Sequence, residues 1–292
     1  MQKPINKISI IIVSAPDRET NDILSNLHEI RPPNLKFEIL IIKGTWPPAQ
    51  RNLGIKKATS DFIFFFDDDV IVPKGSIEAA LKIFQKKPGV EALGGPNLTP
   101  IKNTFIQHCF GNALACFFIG LNTVSRYRPF KNLKKVTENN IATCNLAFRA
   151  SILKKTPFNT TFYANEENEL LGRILRQGHI LEYSQDFFVY HHRRKNLAQY
   201  LKQIFKWGEG RTLHIVANIS HFKISFFIPL LFLFYIASLF WIHHPMYIIP
   251  LIAYIILDAS FAFSIAWNNS NFRLFPIMIW LLPMTHLTYA LG

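Results

Sequence analysis

Apolar strand-like segments alternate with helix-like patterns through the first quarter of the chain. Short apolar segments typical of buried strands cover residues 7–13, 37–42 and 62–66. Two helices are predicted between them, at residues 20–30 and 49–58, and the first repeats its apolar residues at spacings of three or four. This alternation predicts an α/β domain, with a mostly parallel sheet and flanking helices.

The pattern changes after residue 100. Residues 104–121 are largely apolar and fit either a core helix or a helix lying against a membrane. A strand is expected at 145–148. A helix is expected from Glu166 to Gln177, ended by Gly178, a residue that commonly terminates helices.

The end of the chain has a different character. Three apolar stretches, at residues 224–242, 246–267 and 274–292, approach the length of about 20 residues that a membrane span needs. Very apolar core helices are the alternative. We therefore expect an α/β domain at residues 1–195, a basic amphipathic interfacial segment at 196–223, and three transmembrane helices.

Charge supports this division and predicts an orientation. The net charge is +13, yet after Lys223 the only charged residues are Asp258 and Arg273. Lys and Arg cluster just before the apolar stretches, whereas the loop at 243–245 has neither. The positive-inside rule predicts a multi-pass protein of the cell (inner) membrane whose large domain is cytoplasmic. Membrane lipids, rather than nucleic acid, are the expected partners of the basic residues. The three cysteines show no CxxC spacing, so a disulfide framework is not indicated.

Three consecutive carboxylates follow the most apolar predicted strand. Asp67, Asp68 and Asp69 come directly after Phe62–Phe66. Grouped carboxylates repel one another unless a cation offsets their charge, and ligands of open α/β sheets bind at the carboxyl ends of strands. The triplet therefore predicts a divalent cation with oxygen ligands, Mg²⁺ or Mn²⁺. A solvated acidic turn is the alternative.

A second acidic group opens the helix expected at 166–177. Glu166, Glu167 and Glu169 lie in its first turn. Acids there are stabilised by the helix dipole, so an ordinary first turn would explain them by itself. Their position about 100 residues after a metal-like cluster favours a role in chemistry.

Taken in order along the chain, these motifs resemble those of glycosyltransferase family 2. The resemblance covers roughly residues 7–211 and rests on five segments: Ile8–Val13, Arg51–Ile55, Phe66–Val70, Asn145–Arg149 and Glu166–Leu170 with Arg173, Arg176 and Gly178. Members of this family are inverting enzymes of the GT-A fold that use nucleotide sugars, and membrane segments after the catalytic domain are common among them.

The resemblance implies roles for individual residues. Asp67 and Asp69 match the motif that holds the divalent cation and the nucleotide sugar, and Asp68 would lie near the ribose or base. Glu167 falls at the position of the general base, where the family usually has Asp. The remaining donor-binding residues that the resemblance implies are Ala15, Pro16, Asp17 and Arg51.

Acceptor or diphosphate contacts are implied for a further set. It comprises Glu166, His191, Arg194, Gln203, Trp207 and Arg211. Residues 203–207 are similar to the QxxRW motif of processive members, with Lys206 in place of Arg, and residues 207–211 are similar to a motif of exopolysaccharide-assembling members. A purely lipid-anchoring role is the alternative for these basic residues.

One departure affects the donor. Ile42-Lys43-Gly44-Thr45 stands where the family has an Asp-Asp-Gly-Ser segment that contacts the nucleobase, and residues 44–48 are expected to form a turn before the helix at 49–58. The identity of the nucleotide therefore stays open.

The predicted function is a metal-dependent membrane glycosyltransferase. It would move a sugar from a nucleotide donor to a lipid-linked or saccharide acceptor, as in polysaccharide biosynthesis for the cell envelope. Two rivals remain: a polyprenyl-phosphate sugar synthase, and a non-catalytic membrane protein that senses nucleotide sugars.

Overall fold

A computed structural model describes residues 5–131, 133, 135–217 and 226–292. Its elements in chain order are β1 (Lys7–Ser14), α1 (Asn21–Ile30), β2 (Lys36–Lys43), α2 (Pro47–Lys57), β3 (Phe62–Asp67), β4 (Val70–Ile71), α3 (Ser76–Lys86), β5 (Val90–Gly94), β6 (Asn97–Leu98), α4 (Phe105–Leu114), α5 (Phe117–Gly120), a 3-10 helix (Leu121–Arg126), β7 (Asn145–Arg149), α6 (Ala150–Lys155), α7 (Glu166–Arg176), β8 (Ile180–Tyr183), β9 (Val189–His191), α8 (Leu197–Ala217), α9 (Ile228–Ser238), a second 3-10 helix (Pro245–Ile248), α10 (Ile249–Asn268) and α11 (Leu274–Leu291). The chain forms two units: residues 1–102 with 122–192, and residues 103–121 with 193–292.

The first unit is built on a six-stranded sheet with the order β2-β1-β3-β7-β5-β8. Strand β1 is parallel to β2 and β3, and β5 is parallel to β8. Strand β7 is antiparallel to both of its neighbours, so the sheet is mixed. The α/β fold class expected from the sequence is confirmed.

Helices cover both faces of this sheet, which explains why β3 is apolar from Phe62 to Phe66. Phe64 and Phe66 pack in a core with residues of α1 and α3. Ile63 and Phe65 point to the other face and pack with residues of α2, α6 and α7. Because successive strand residues alternate between faces, a strand buried on both sides needs a continuous apolar run. Asp67 and the residues after it lie where that run ends.

Helix α2 differs from the expectation at its start. Residues 44–48 were expected to form a turn, but the helix begins at Pro47 and contains Pro48 in its first turn. Proline suits that position because the first helical N–H groups have no intrahelical acceptor. Gly54 lets α2 approach β1, since a Cβ there would lie 2.6 Å from a side-chain carbon of Ile11.

A small second sheet in this unit, with the order β4-β9-β6, lies next to the acidic triplet in the chain. Strand β4 starts directly after Asp69 and is antiparallel to β9, with Val70 paired to His191. This register brings a histidine from the far end of the unit beside the carboxylates.

The second unit is helical. It contains α4 and α5 together with α8 to α11, so residues 103–121 group with the helical unit and not with the sheet. Within it, α11 contacts α8, α9 and α10. The contacts include a hydrogen bond between the hydroxyls of Tyr200 and Thr285, 3.0 Å apart.

Two helices of this unit are long and apolar enough to cross a membrane. They comprise residues Pro245–Asn268 and Leu274–Leu291 and correspond to the second and third predicted spans. Of the first, 224–242, residues 224 and 225 lie outside the described ranges, and α9 within it is 11 residues long. Residues 218–223 of the predicted interfacial segment also lie outside the described ranges, and α8 forms most of the remainder.

Candidate active site

A carboxylate and imidazole group lies at the end of β3. Asp67, Asp69 and His191 each offer one ligand atom, and these three atoms lie within 4.8 Å of one another. The sequence supplied the two aspartates, but the strand pairing between β4 and β9 supplies the histidine. Two carboxylates and one imidazole at this separation can hold a divalent cation.

The charges within this group are close enough to influence one another. The His191 Nε2 atom lies 2.9 Å from Oδ1 of Asp69. Burial, together with the negative charges of Asp69 and Asp68, raises the pKa of Asp67, although His191 and Arg51 act in the opposite direction. A bound cation would relieve this repulsion, because it favours the ionised form of each carboxylate.

Asp68 faces a different set of partners. Its carboxylate accepts hydrogen bonds from the Ser14 hydroxyl at 2.6 Å and from the Arg18 guanidinium at 2.5 Å. Arg18 also lies 3.4 Å from a carboxylate oxygen of Asp69. The Lys43 ammonium donates to the backbone carbonyl of Arg18 and lies 3.4 Å from the Ser14 hydroxyl. Two cations therefore line the ends of β1 and β2.

The predicted donor loop lies at this same edge. Ala15, Pro16 and Asp17 follow β1 directly, and the backbone N–H of Arg18 closes the turn on the carbonyl of Ala15 at 3.2 Å. Pro16 and Asp17 are exposed. Since β1 and β3 are parallel neighbours, their carboxyl ends bring this loop and Asp67 to one edge of the sheet.

Arg51 links the metal group to the glutamates. Its buried guanidinium pairs with Glu166 and lies 3.8 Å from a carboxylate oxygen of Asp67. Arg51 also lies over the ring of Phe158, 5.5 Å from its centroid. The side chain predicted to bind the donor is therefore held between two acidic sites.

The start of α7 buries four consecutive polar residues, Glu166 to Glu169. Buried charges are costly unless they are paired. Each of the four has a partner: Glu166 pairs with Arg51, Glu167 with Arg126, Asn168 with Arg126 and Asn139, and Glu169 with Arg173. The helix begins after Asn165 in the left-handed conformation (φ 57°) and ends before Gly178 (φ 82°). This turn is therefore a connected ionic network rather than an ordinary solvated helix start.

The two adjacent glutamates occupy different environments. Burial raises the pKa of Glu166 to about 7, with Glu167 adding to the rise and Arg51 opposing it. Glu167 pairs with Arg126 at 3.1 Å. Adjacent carboxyls in unlike surroundings are a common arrangement where acid and base roles are divided.

Four predicted acceptor-site residues belong to the helical unit. Arg194 precedes α8, and Gln203, Trp207 and Arg211 follow one another at four-residue spacing on that helix. Arg211 is buried, with its guanidinium 4.1 Å from the ring centroid of Phe226. Their acceptor role stays a prediction.

Sequence reasoning missed two arginines of the first unit. Arg18 follows the predicted donor loop directly, and that position was a usable signal. Arg126 lies in an irregular part of the chain with no motif around it. It reaches Glu167 only through the tertiary fold.

Together, an α/β sheet with a group able to hold a divalent cation at its carboxyl edge, and paired glutamates on a later helix, are the features of a glycosyltransferase of the GT-A type. The chain belongs to glycosyl transferase family 2, whose model matches residues 2–156.

The individual relatives share 25% sequence identity or less with this chain. The pre-mycofactocin glycosyltransferase of Mycobacterium tuberculosis is 25% identical over 182 residues, which are 58% of this chain and 35% of that protein. The chain thus spans about a third of the length of this curated relative. The mannosyltransferase PcManGT from Pyrobaculum calidifontis, solved with GDP-Man and Mn²⁺, has a TM-score of 0.56 and 15% identity, covering 97% of this chain and 85% of that one. S. aureus TarS 1–349, solved with UDP-GlcNAc, has a TM-score of 0.45 and 12% identity, with coverages of 97% and 89%.

Proposed function

We propose that this glycosyltransferase uses a nucleotide-sugar donor and a divalent cation, and that Glu167 is the general base that activates an acceptor hydroxyl. The observation that carries the proposal is the convergence of Asp67, Asp69 and His191. The paired glutamates at the start of α7 lie across Arg51 from this group.

The residues of the group fit a divalent cation. Their ligand atoms are close together, and the side chains of Asp67, Asp69 and His191 are all partly exposed, so an ion has access. Carboxylates suit Mg²⁺ and Mn²⁺, whereas an imidazole ligand suits transition metals better than Mg²⁺. We therefore expect Mn²⁺ to bind more tightly than Mg²⁺. A cation here supplies charge stabilisation for a departing diphosphate.

In this proposal Glu167 accepts the proton that the acceptor hydroxyl loses. As the acceptor oxygen bonds to the anomeric carbon, its O–H bond breaks and the proton passes to the Glu167 carboxylate. The bond between the sugar and the diphosphate breaks, and its electron pair leaves with the nucleoside diphosphate. Attack opposite the leaving group inverts the anomeric centre.

The nucleoside part of the donor is assigned to the edge formed by β1 and β2. Ala15, Pro16 and Asp17 border it, and we assign Asp68, which accepts hydrogen bonds from Ser14 and Arg18, to the ribose or base. Lys43 adds a hydrogen-bond donor where many family members have an acidic residue. UDP is therefore not assumed, and GDP-linked and other donors belong in the first test.

The acceptor and the location follow from the helical unit. Two helices long enough to cross a membrane make membrane association the simplest arrangement. The cationic cluster before them favours a cytoplasmic catalytic domain at the inner membrane. An acceptor carried on a lipid would be held at that surface. We assign Arg194, Gln203, Trp207 and Arg211 to its recognition, and Glu166 and His191 to the diphosphate.

The decisive experiment measures donor binding by calorimetry on the detergent-solubilised full chain. UDP-GlcNAc, GDP-mannose and other nucleotide sugars are titrated with Mn²⁺, with Mg²⁺ and with neither. We expect cation-dependent binding that the variant Asp69→Ala lowers by about 10²-fold or more, because the cation loses one of its carboxylate ligands. Asp22→Ala is the matched control, since Asp22 is an exposed acid on α1.

The outcomes separate the alternatives. Equal binding by Asp69→Ala and the unaltered protein would remove the metal role. Absence of binding for every nucleotide sugar would remove the donor assignment. If sugar transfer to a polyprenyl monophosphate required Asp69 but not Glu167, the protein would be a polyprenyl-phosphate sugar synthase, because that acceptor is already an anion.

A further inference from the structure

Arg126 makes four hydrogen bonds to the start of α7 and to residues around it, which is more than a simple ion pair needs. The residue ends the first 3-10 helix and is buried. Its Nε donates to the backbone carbonyl of Asn139 at 2.8 Å, and Nη2 donates to the carbonyl of Glu138 and to Oδ1 of Asn168, both at 2.9 Å. Nη1 donates to Oε1 of Glu167 at 3.1 Å. Four bonds from one guanidinium fix both its position and its plane.

The acceptors around Arg126 are themselves held in place. Asn168 and Asn139 are fully buried and joined by a 3.0 Å side-chain hydrogen bond. The neighbouring Asn140 closes the turn by accepting the backbone N–H of Thr137 at 2.8 Å. Three neutral acceptors therefore determine where the guanidinium lies, and its remaining bond is aimed at a fixed point on Glu167.

We propose that Arg126 is a positioning residue that holds the Glu167 carboxylate ionised and oriented for the acceptor hydroxyl. This inference rests on the proposed function, in which Glu167 is the base. Arg126 contacts Oε1, and we assign Oε2 to the acceptor hydroxyl. A bond to a cation favours the ionised carboxylate, and a base must be ionised before it can take a proton.

The other charged residues near Glu167 are either acidic themselves or paired with other carboxylates. Glu166, on the same helix, is a like charge. Arg51, on α2, contacts Glu166 and Asp67. Glu169 is paired with Arg173 through two bonds of 2.8 Å. Among the residues that the structure describes, Arg126 is therefore the cation that pairs with Glu167.

The first test follows protonation of Glu167 without any substrate. Infrared difference spectra against Glu167→Gln isolate the protonated-carboxyl band of Glu167 in the full chain. In Arg126→Met this band should appear at a higher pH than in the unaltered protein, because removing the neighbouring cation disfavours the ionised carboxylate. Arg173→Met is the matched control, because it removes an ion pair from the same helix without touching Glu167.

The second test follows turnover with water as the acceptor. Release of nucleoside diphosphate from the donor that binds best with Mn²⁺ should fall about 10- to 100-fold in Arg126→Met at neutral pH, with donor affinity unchanged. Arg126→Lys keeps the charge but loses the forked geometry, so it should restore the position of the infrared band and only part of the turnover. If Arg126→Met does not fold, Arg126→Gln carries the same two measurements.

Each result decides the matter. If the infrared band does not move in a folded Arg126→Met or Arg126→Gln variant, the positioning role is overturned. If neither of these neutral variants folds, full turnover in Arg126→Lys overturns it. Full turnover in Glu167→Gln would instead remove the base assignment itself. Loss of turnover in Glu167→Gln beside an unaffected Arg126→Met would leave the proposed function standing and reject only the role of Arg126.

Discussion

Two acidic sites lie at the same edge of the sheet and differ in how their charge is balanced. At the metal group, the side chains of Asp67 and Asp69 are 31% and 29% exposed. At the start of α7, the side chains of Glu166 and Glu167 are 8% and 10% exposed and are paired with buried arginines. The first site is open to a cation from solution, whereas the second carries its cations within the fold.

The contrast has a chemical consequence. A metal ligand must exchange partners when the ion and donor arrive, so incomplete and accessible pairing is useful there. A general base must keep one geometry and one charge state, which a fully paired and buried site provides. Arg51 contacts both sites, so a change of charge at one site acts on the other through its guanidinium.

The largest expected effect comes from a substitution that alters only the second site. Glu167→Gln should lower turnover about 10²- to 10⁴-fold, because it removes the base but leaves the shape nearly unchanged. Donor binding with Mn²⁺ should stay within about threefold, since the metal group is intact. Turnover and calorimetry on the same preparation measure the two quantities. A parallel loss of both would mean that Glu167 is structural.

An intermediate effect concerns pH and Glu166. Its folded-state pKa of about 7 lies above the ordinary value of 4.5. The folded protein therefore holds a proton between these values that the unfolded chain has released, and stability falls as pH rises from about 4.5 through 7. This contribution is on the order of 3 kcal/mol and should be absent in Glu166→Gln.

Chemical denaturation at pH 5 and at pH 7.5 measures that slope. The comparison is between slopes rather than absolute stabilities, because Glu166→Gln also leaves Arg51 with a weaker partner. An unchanged slope in the variant would show that Glu166 is already ionised at pH 5.

The smallest expected effect concerns Glu38, a carboxylate outside both sites that serves as a reference for them. Burial raises the pKa of Glu38, but hydrogen bonds from Ser9, Thr59 and Lys7 outweigh burial and lower it to about 2. Its stabilisation is present above pH 4.5 and is lost as pH falls through about 2. Glu38→Gln should cost no more than about 1 kcal/mol at pH 7, because the group is partly solvated. Thermal unfolding at pH 7 and pH 3 measures it, and turnover should be unaffected. A loss of turnover would place Glu38 in the site.

Local patterns predicted much of the fold. The run Phe62–Phe66 predicted a buried strand, and β3 has that form because helices cover both of its faces. The glutamates at the start of α7 and Gly178 after it predicted the helix and its end. The start of α2 at Pro47 was missed, since two prolines suit a first helical turn as well as they suit a loop.

The candidate site was predicted only in part. Asp67, Asp69, Glu166 and Glu167 are adjacent to strong local patterns and could be found from them. The part played by Arg18 and Arg126 could not, because the partner of an arginine is chosen by chain segments that are distant in sequence. His191 was expected near a diphosphate, and its position beside Asp69 depends on the pairing of β9 with β4.

The amino-acid sequence by itself determined the family, the α/β class, the acidic motifs and the apolar character of the chain after Lys223. These depend on periodicity and on short motifs, which act over a few residues. Only the tertiary structure decided that a histidine completes the metal group and that separate arginines hold the two glutamates. The physical reason is that strand register and buried ion pairing are properties of segments brought together by folding, and neither leaves a pattern in the neighbouring sequence.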